Sequence, residues 1–350
     1  MSWPVPSFSR TEVNRAGETL RSGSGERRDE ELLGQAMAVL SNWRSSHGYP
    51  INTFQATLRD KVKRVGGRAL VAQRLKRTPS IVGKLRRFPK MNLARMQDIG
   101  GLRAVVRGIR EVRELEGNYL NSRFLHKLVK EDDYISEPKQ SGYRGVHLVY
   151  RYANPRAQSY DGLFVELQIR TRRQHTWATA VETMGLFLDR ALKSSQGPEE
   201  WLQFFALTGA AFAHVEDSAP VPGYERSSAL ETFEAVAEAT ERLRVREHLS
   251  AFSLAARHVQ KDRGSYHLVV LDFEEKLLHI DSYSRQRLDE ATSEYTSVEQ
   301  RIAEGAPLQV VLVSTDSTES LRCAYPSYFL DTRSFLRELN LLKLRARKGR

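Results

Sequence analysis

The chain has 350 residues, 40% of them hydrophobic, so it can bury a sizeable core and form about two domains. Its single cysteine, Cys323, excludes an intramolecular disulfide bond and a cysteine-cluster zinc site. Because the sequence has no signal-peptide core and no apolar run of about 18 residues, we expect a cytoplasmic protein without a membrane partner.

Positive charge is concentrated in one segment of the chain. Residues 59–97 hold 13 of the 54 Lys and Arg residues but only one of the 43 acids, Asp60, so this segment accounts for the net charge of +11. Such a concentration attracts anions and suits a nucleoside triphosphate, a nucleic-acid end, or both. The alternative is that these residues form an ordinary solvated helix face.

The N-terminal part is predicted to be mostly helical. Residues 1–28 are polar and rich in Pro, Gly, Ser and Arg, which predicts an extended or loosely attached arm. Beyond it, apolar residues recur at helical spacing from Leu32 to Trp43. The predicted helices are one ending near Gly48 and Pro50, a second over about 52–73 with a break at Gly66 and Gly67, and a third over 79–87.

After these helices, apolar and polar residues alternate with a period of two. This pattern predicts strands at 102–107, 146–152 and 164–170, with helical segments over about 111–130 and 173–193 beside them. We therefore predict an α+β fold in which helices flank a mixed β-sheet, as in a nucleotidyltransferase-like domain.

A second, small α+β unit is predicted at the C-terminal end. The predicted domains are an arm (1–28), a catalytic domain (29–215), a linker helix (216–250) and a small unit (251–350). The predicted elements from residue 199 on are helices at 199–215 and about 226–248, a hairpin at 266–272 and 276–281, a helix at about 286–304, a strand at 308–313 and a helix at 334–342.

Two acids, Asp98 and Glu166, lie at or beside predicted strands, and many cationic and aromatic residues surround them in the sequence. Transfer of a phosphoryl or pyrophosphoryl group on Mg²⁺ is the foremost chemistry that needs carboxylates among so many cations. The alternatives are that Asp98 caps a turn and that Glu166 pairs with an arginine on its strand.

Four ordered motifs over about residues 55–190 resemble the synthetase domain of the RelA/SpoT family. Proteins of that family move a pyrophosphate from ATP to a ribose 3′-hydroxyl, usually that of GDP or GTP. Because four motifs occur in the right order, the resemblance is specific. The motifs are Arg74-x-Lys76-x3-Ser80-Ile81-x2-Lys84, Asp98-Ile99-Gly100-Gly101-Leu102-Arg103, Asp133-Tyr134-Ile135-x2-Pro138-Lys139-x2-Gly142-Tyr143-Arg144-x2-His147 and Glu166-x-Gln168-Ile169-Arg170-Thr171.

The resemblance implies a role for each matching residue. Asp98 would hold Mg²⁺, and Glu166 would accept the 3′-hydroxyl proton or share the metal. Tyr143 would stack on the acceptor base, unless it is an ordinary buried tyrosine. The other implied ligands are Arg74 and Arg103 for adenine, Lys76, Ser80 and Lys84 for the triphosphate, and Lys139, Arg144, His147, Gln168 and Arg170 for the acceptor.

Residues Tyr325 to Thr332 resemble the C-terminal antitoxin region of CapRel-type proteins, which are fused toxin–antitoxin members of the RelA/SpoT superfamily that act in phage defence. In that group a Tyr-x-x-Tyr pair docks over the adenine site, the acceptor is the 3′ end of tRNA, and a phage structural protein is the trigger. The resemblance implies that Tyr325 and Tyr328 insert between Arg74 and Arg103. The alternative is that both tyrosines complete the core of the small unit.

Three functions remain open at this point. The first is an autoinhibited, Mg²⁺-dependent ATP pyrophosphokinase that modifies the tRNA 3′ end, blocks translation and is released by a phage protein. The second keeps the chemistry but uses GDP or GTP as the acceptor and makes an alarmone. The third is a catalytically inactive module that binds RNA or a phage protein. A monomer is the simplest expectation, although no sequence feature identifies the oligomeric state.

Overall fold

The structure is a computed structural model that describes residues 3–22, 27–65, 69–187, 198–253, 266–272, 274–275, 277–314 and 332–349. The two tyrosines predicted to be autoinhibitory, Tyr325 and Tyr328, lie outside the described residues. Among the described residues, every helix is too short or too polar to span a bilayer.

Three helices open the fold: α1 (Arg10–Ser22), α2 (Arg27–Ser46) and α3 (Gly48–Arg64). Helix α1 corrects the prediction of a loosely attached arm, because its residues Val13 and Leu20 are buried in the main hydrophobic core. The apolar side chains of α1 follow one helical face, while the polar residues around them dominate the composition. The polar composition of this segment therefore led to the wrong prediction, because it did not reveal that one face of an amphipathic helix is packed in the core.

The central part of the chain contains five strands of one β-sheet. The predicted strands are confirmed as β2 (Gly100–Val106), β4 (Val146–Arg151) and β5 (Phe164–Thr171). Two further strands were missed, since β1 (Leu70–Leu75) overlaps the end of the predicted helix over 52–73 and β3 (Lys127–Asp133) overlaps the end of the predicted helix over 111–130. The helices of this part are α4 (Thr78–Arg87), α5 (Ile109–Leu120) and α6 (Arg172–Phe187).

The two faces of this sheet have different chemistry. Strand β2 pairs in parallel with β5 and antiparallel with β1, while β4 pairs antiparallel with β5. Side chains of paired residues point to the same face, so Arg74, Gly101, Glu166 and Val149 share one face. The opposite face carries apolar residues such as Leu102, which pack in the core formed with α1 to α5.

Helices α7 (Glu199–Val215), α8 (Ala229–Arg242), α9 (Val245–Ser253) and α11 (Arg333–Lys348) form a second core together with α6. Phe335 of α11 packs against Phe204, Phe205 and Phe212 of α7. The segment predicted as a linker helix thus contributes α8 and α9 to this core, and the C-terminal helix packs beside them.

The predicted C-terminal hairpin, helix and strand are confirmed as β6 (Tyr266–Asp272), β7 (Leu277–Tyr283), α10 (Leu288–Ala303) and β8 (Leu308–Ser314). These strands continue the central sheet, because β8 pairs antiparallel with β1 through Gln73 and Arg74. The eight strands of the mixed sheet have the order β3-β4-β5-β2-β1-β8-β6-β7. The predicted architecture of a mixed sheet flanked by helices is therefore confirmed.

Candidate active site

The polar face of the sheet forms the wall of a cavity of about 250 Å³. Both predicted acids, Asp98 and Glu166, line this cavity, and their charges interact. The parallel pairing of β2 with β5 brings them together, because Asp98 precedes β2 and Gly101 lies opposite Glu166. The remaining lining residues are Arg74, Lys76, Gly101, Leu102, Arg103, Lys139, Tyr143, His147, Gln168, Arg170 and Glu182.

Asp98 is held between two ammonium groups. Its carboxylate oxygens lie 2.9 Å from Lys76 Nζ and 2.9 Å from Lys84 Nζ. Burial alone would raise the pKa of Asp98, but the two ion pairs outweigh burial and hold this pKa at about 2. Asp98 is therefore ionised at neutral pH, and two cations converge on it from β1 and α4.

Burial lowers the pKa of Lys76, against the opposing effect of its ion pair with Asp98. A buried ammonium group whose charge is costly gains from any additional anion. The part of the cavity around Lys76 is thus suited to a ligand more negatively charged than a single carboxylate.

Glu166 belongs to a closed ring of five hydrogen-bonded side chains. His147 Nδ1 lies 3.0 Å from Glu166 Oε1, and Gln168 donates to Glu166 Oε2 at 2.8 Å. Arg170 donates to Gln168 Oε1 at 2.8 Å and to the Tyr143 hydroxyl at 2.5 Å. The ring closes because the Tyr143 hydroxyl lies 2.5 Å from His147 Nε2.

This ring determines the charge and orientation of Glu166. Burial alone would raise the pKa of Glu166, but His147 and the bond from Gln168 lower it below the ordinary value. A donated Nδ1–H from His147 leaves Nε2 to accept from the Tyr143 hydroxyl, whose oxygen in turn accepts from Arg170. Each hydrogen bond of the ring then joins one donor to one acceptor, and the bonds from His147 and Gln168 orient the carboxylate of Glu166.

A tight turn presents Tyr143 and Lys139 to the cavity. The turn is closed by a bond from Gly142 N to Lys139 O at 2.8 Å, and Gly142 has φ +87°, a conformation that favours glycine. Lys139 Nζ lies 4.2 Å from the centre of the Tyr134 ring and 5.4 Å from that of Tyr143. Tyr143 is only 7% exposed, and Arg170 lies 5.1 Å from its ring centre.

Two predicted site residues lie elsewhere. Arg144 does not line the cavity, which corrects its prediction as an acceptor ligand; its side chain is buried in an ion pair with Glu216 at 3.0 Å. Arg144 follows Tyr143 directly, but its guanidinium pairs with Glu216 while the Tyr143 hydroxyl joins the ring around Glu166. Ser80 lies on α4 outside the cavity lining, while Lys84 of the same helix reaches Asp98.

Sequence reasoning omitted Glu182 and Tyr134 from the predicted site. Glu182 lines the cavity from α6, and Tyr134 contacts both Lys139 and His147. Burial, together with Asp132, raises the pKa of Tyr134 to about 12, so its hydroxyl remains protonated. The motif that contains Tyr134 was recognised, but nothing in the local pattern indicated that its ring packs against the cation.

The donor set fits Mg²⁺ only together with a bound nucleotide. Among the described residues, no cluster of three or more His, Cys, Asp and Glu side chains could hold a metal by itself. Asp98 and Glu166 are both ionised carboxylates in one cavity, and Mg²⁺ in nucleotide sites takes one or two carboxylates while phosphates and waters complete its shell. Asp98 and Glu166 would therefore be the protein ligands of the ion, and Glu182 is a third carboxylate in the cavity lining.

Residues 73–185 match the RelA_SpoT family, described as the region found in RelA / SpoT proteins. The chain is 37% identical over 111 residues to the GTP pyrophosphokinase YjbM of Bacillus subtilis, and this match covers 31% of the chain and 52% of YjbM. It is 30% identical over 139 residues to the GTP pyrophosphokinase of Escherichia coli K12, covering 39% of the chain and 17% of that protein. The chain therefore spans about half the length of YjbM and less of the second relative.

Among solved structures, small alarmone synthetase 1 from Bacillus subtilis aligns with a TM-score of 0.42 and 25% identity, over 49% of this chain and 88% of that one. The matched residues 73–185 include every cavity-lining residue. The site therefore lies in the part of the chain that is similar to RelA and SpoT proteins.

Proposed function

We propose that this protein is an ATP-dependent pyrophosphokinase of the RelA/SpoT type. The observation that carries the proposal is the single cavity in which Asp98 and Glu166 face a set of cations on one face of the sheet. The names of YjbM and the Escherichia coli relative, both GTP pyrophosphokinases, support the same chemistry.

The nucleotide side of the cavity lies around Asp98. Arg74 and Arg103 are the planar cations available to stack on adenine, while Lys76 and Lys84 exchange Asp98 for phosphate oxygens. Asp98, with Glu166, would hold Mg²⁺ as this exchange frees its oxygens. Bound there, Mg²⁺ would neutralise charge on the phosphates and orient them.

The acceptor side lies around Glu166. The 3′-hydroxyl oxygen attacks the β-phosphorus of ATP, the bond from that phosphorus to the α–β bridging oxygen breaks, and AMP leaves. Glu166, ionised and oriented by His147 and Gln168, accepts the hydroxyl proton. Lys139 and Arg170 supply positive charge near the acceptor.

Two variants test the chemistry. Glu166→Gln and Asp98→Asn keep the side-chain shapes and remove one carboxylate each, so both should abolish transfer of label from [β-³²P]ATP to an acceptor. Asp60→Asn, at a surface acid outside the cavity, is the control and should keep full activity. Transfer that continues undiminished in both variants would overturn the assigned roles of these two acids, and a parent protein that transfers no label would favour the inactive binding module.

The proposed acceptor is the 3′ end of tRNA. Exposed basic residues support it, because Arg86, Lys90 and Arg95 are exposed and lie outside the cavity lining, and Phe88 in the same stretch of sequence is 47% exposed. Phosphate contacts outside the active site are useful to a tRNA acceptor stem and unnecessary for a mononucleotide. The alternative acceptor is GDP or GTP, which the names of the relatives favour.

Labelled ATP distinguishes the two acceptors. The protein is incubated with either bulk tRNA or GDP and GTP, and label is followed in the RNA and in guanosine tetra- and pentaphosphate. If tRNA is the acceptor, the parent protein should label the RNA. A double variant with Lys90→Glu and Arg95→Glu should no longer label the RNA, while it still hydrolyses ATP or transfers pyrophosphate from ATP to a small acceptor. Label found only in guanosine nucleotides contradicts the tRNA acceptor.

We also propose that Tyr325 and Tyr328 block the adenine site until a phage structural protein binds the C-terminal region. One described contact supports this: β8 ends at Ser314, which pairs with Gln73 next to Arg74. A chain of about ten residues can extend about 35 Å, enough to reach Arg74 from there. Tyr325→Ala should make the protein toxic on expression, while Tyr325→Phe, which keeps a ring that stacks on arginine, should not. A harmless Tyr325→Ala variant would refute the block.

A further inference from the structure

The amino terminus of helix α4 is capped by a distant segment of the chain. The residue before this helix, Arg77, provides no side-chain cap. Instead, the Thr78 N–H donates to Glu299 Oε1 of α10 at 2.9 Å, and both residues are buried. The first turn of a helix has unpaired N–H groups and favours a negative charge, so Glu299 supplies what the local sequence lacks.

Glu299 is fixed by its own neighbours. The hydroxyl of Tyr295, one turn earlier on α10, donates to the same Oε1. The guanidinium of Arg44 lies 4.2 Å from the centre of the Tyr295 ring, and Arg44 Nε donates to Lys76 O at 2.7 Å. A contiguous set of contacts therefore joins α10 to the backbone between β1 and α4.

Other contacts bind the same short backbone segment to the C-terminal strand. Arg77 Nη1 donates to Gln309 Oε1 of β8 at 3.1 Å, and β8 pairs with β1 at Arg74. This backbone carries Arg74 and Lys76, and α4 carries Lys84. The cations on the Asp98 side of the cavity are thus mounted on elements that β8 and α10 hold.

We propose that Glu299 is a positioning residue of the nucleotide side of the active site, and that β8 and α10 complete this side. Only the identity of the ligand, ATP, rests on the function proposed above. Loss of the Glu299 carboxylate unpairs the first turn of α4 and frees Lys84 to move away from Asp98. The hydrogen-bonded ring around Glu166 lies on β4, β5 and the turn before β4, and β2 and β1 separate these strands from β8 in the sheet order, so binding of the acceptor is unaffected.

Hydrogen exchange of the backbone amides tests the positioning directly and requires no activity. In Glu299→Ala the amides of the first turn of α4, at Thr78, Ser80 and Ile81, should exchange about tenfold faster than in the parent protein. Glu299→Gln keeps an acceptor oxygen and should restore most of the protection. Glu304→Ala, at an exposed acid at the end of the same helix, is the matched control and should leave these amides unchanged.

Ligand affinities provide the second measurement. The dissociation constant of a non-hydrolysable ATP analogue should rise about tenfold in Glu299→Ala and change little in Glu299→Gln or Glu304→Ala, while the KM for the acceptor stays constant. If the parent protein binds no ATP analogue, the proposed function fails and hydrogen exchange alone decides the positioning. Unchanged exchange of these first-turn amides in Glu299→Ala overturns the inference, and so does an equal loss of affinity for both substrates.

Discussion

Asp98 and Glu166 lie in the same cavity, but the protein balances their charges in different ways. Asp98 is neutralised by two ammonium groups on flexible side chains, which the proposed function requires to be released when a more negative ligand binds. Glu166 is held by a closed ring of hydrogen bonds, in which each member fixes the next. The difference indicates that the Asp98 side is built to exchange ions, while the Glu166 side is built to keep one carboxylate oriented.

The largest expected effect comes from removing the charge of Asp98. Asp98→Asn leaves Lys76 and Lys84 facing an amide and removes a ligand for Mg²⁺, so kcat/KM should fall by about 10³-fold. The measurement is the rate of pyrophosphate transfer with saturating Mg²⁺. A fall of less than about tenfold would mean that Asp98 is a structural counter-ion and would remove the functional contrast between the two acids.

A large structural effect is expected on the Glu166 side at Gly209. A Cβ at this position would lie 2.6 Å from Gly142 Cα and 2.7 Å from Gly142 O, so Gly209→Ala must displace the turn that carries Tyr143. We expect a loss of about 2–4 kcal/mol in the free energy of unfolding and a higher KM for the acceptor. Thermal and urea unfolding measure the first effect, and steady-state kinetics measure the second.

Gly83 of α4 is the matched control for Gly209. A Cβ at Gly83 meets no atom within 4 Å, so Gly83→Ala should raise the free energy of unfolding by about 0.5–1 kcal/mol. Equal behaviour of the two variants would contradict the close approach of α7 to the turn.

The ion pairs of Asp98 should appear in the dependence of stability on pH. The folded pKa of about 2 lies below the ordinary 3.8, so the unfolded chain binds the proton more tightly. The ion pairs therefore stabilise the fold fully above about pH 4, and this contribution of about 2 kcal/mol is lost as the pH falls towards 2. Chemical unfolding between pH 2 and 5 measures this contribution. As the pH falls, the free energy of unfolding should decrease less in Asp98→Asn than in the parent protein, and it should decrease as in the parent protein in Asp60→Asn.

The smallest of these effects is expected from breaking the ring at His147. His147→Phe keeps an aromatic ring but removes the donor to Glu166, so the pKa of Glu166 should rise and the acidic limb of the kcat profile should move to higher pH. The rate at neutral pH should fall about tenfold, with the KM for ATP unchanged. His147→Gln, which keeps an N–H donor, should recover part of the loss; an acidic limb that does not move would exclude His147 as the group that orients Glu166.

The contacts of Glu299 also affect how autoinhibition can be tested. Deleting the C-terminal residues from 250 on would remove the cap of α4, the pairing partner of β1 and the aromatic packing of Phe335. A truncated protein that is not toxic would then be explained equally well by damage to the nucleotide side of the site and by a catalytic domain that is not a toxin. Single substitutions at Tyr325 and Tyr328 avoid this ambiguity.

The strands that carry the motifs were predictable because their signal is local. Strands β2, β4 and β5 alternate apolar and polar residues, since one face packs in the core and the other lines the cavity. The short strand β1 follows a helix, and its apolar and polar residues do not alternate strictly. Strand β3 is a charged edge strand. Both segments were therefore assigned to the predicted helices that precede them. Helix α1 was missed because its few buried side chains are surrounded by polar residues.

The sequence by itself determined the chemistry of the site: two acids, the cations around them and the order of motifs that places them on neighbouring strands. Only the tertiary structure decided the register that brings Asp98 to Glu166, the burial of Arg144 against Glu216, and the capping of α4 by Glu299. The reason is physical. Alternation and helical spacing are local properties of a segment, whereas each of these three contacts joins segments far apart in the chain and exists only after the sheet and the second core have formed.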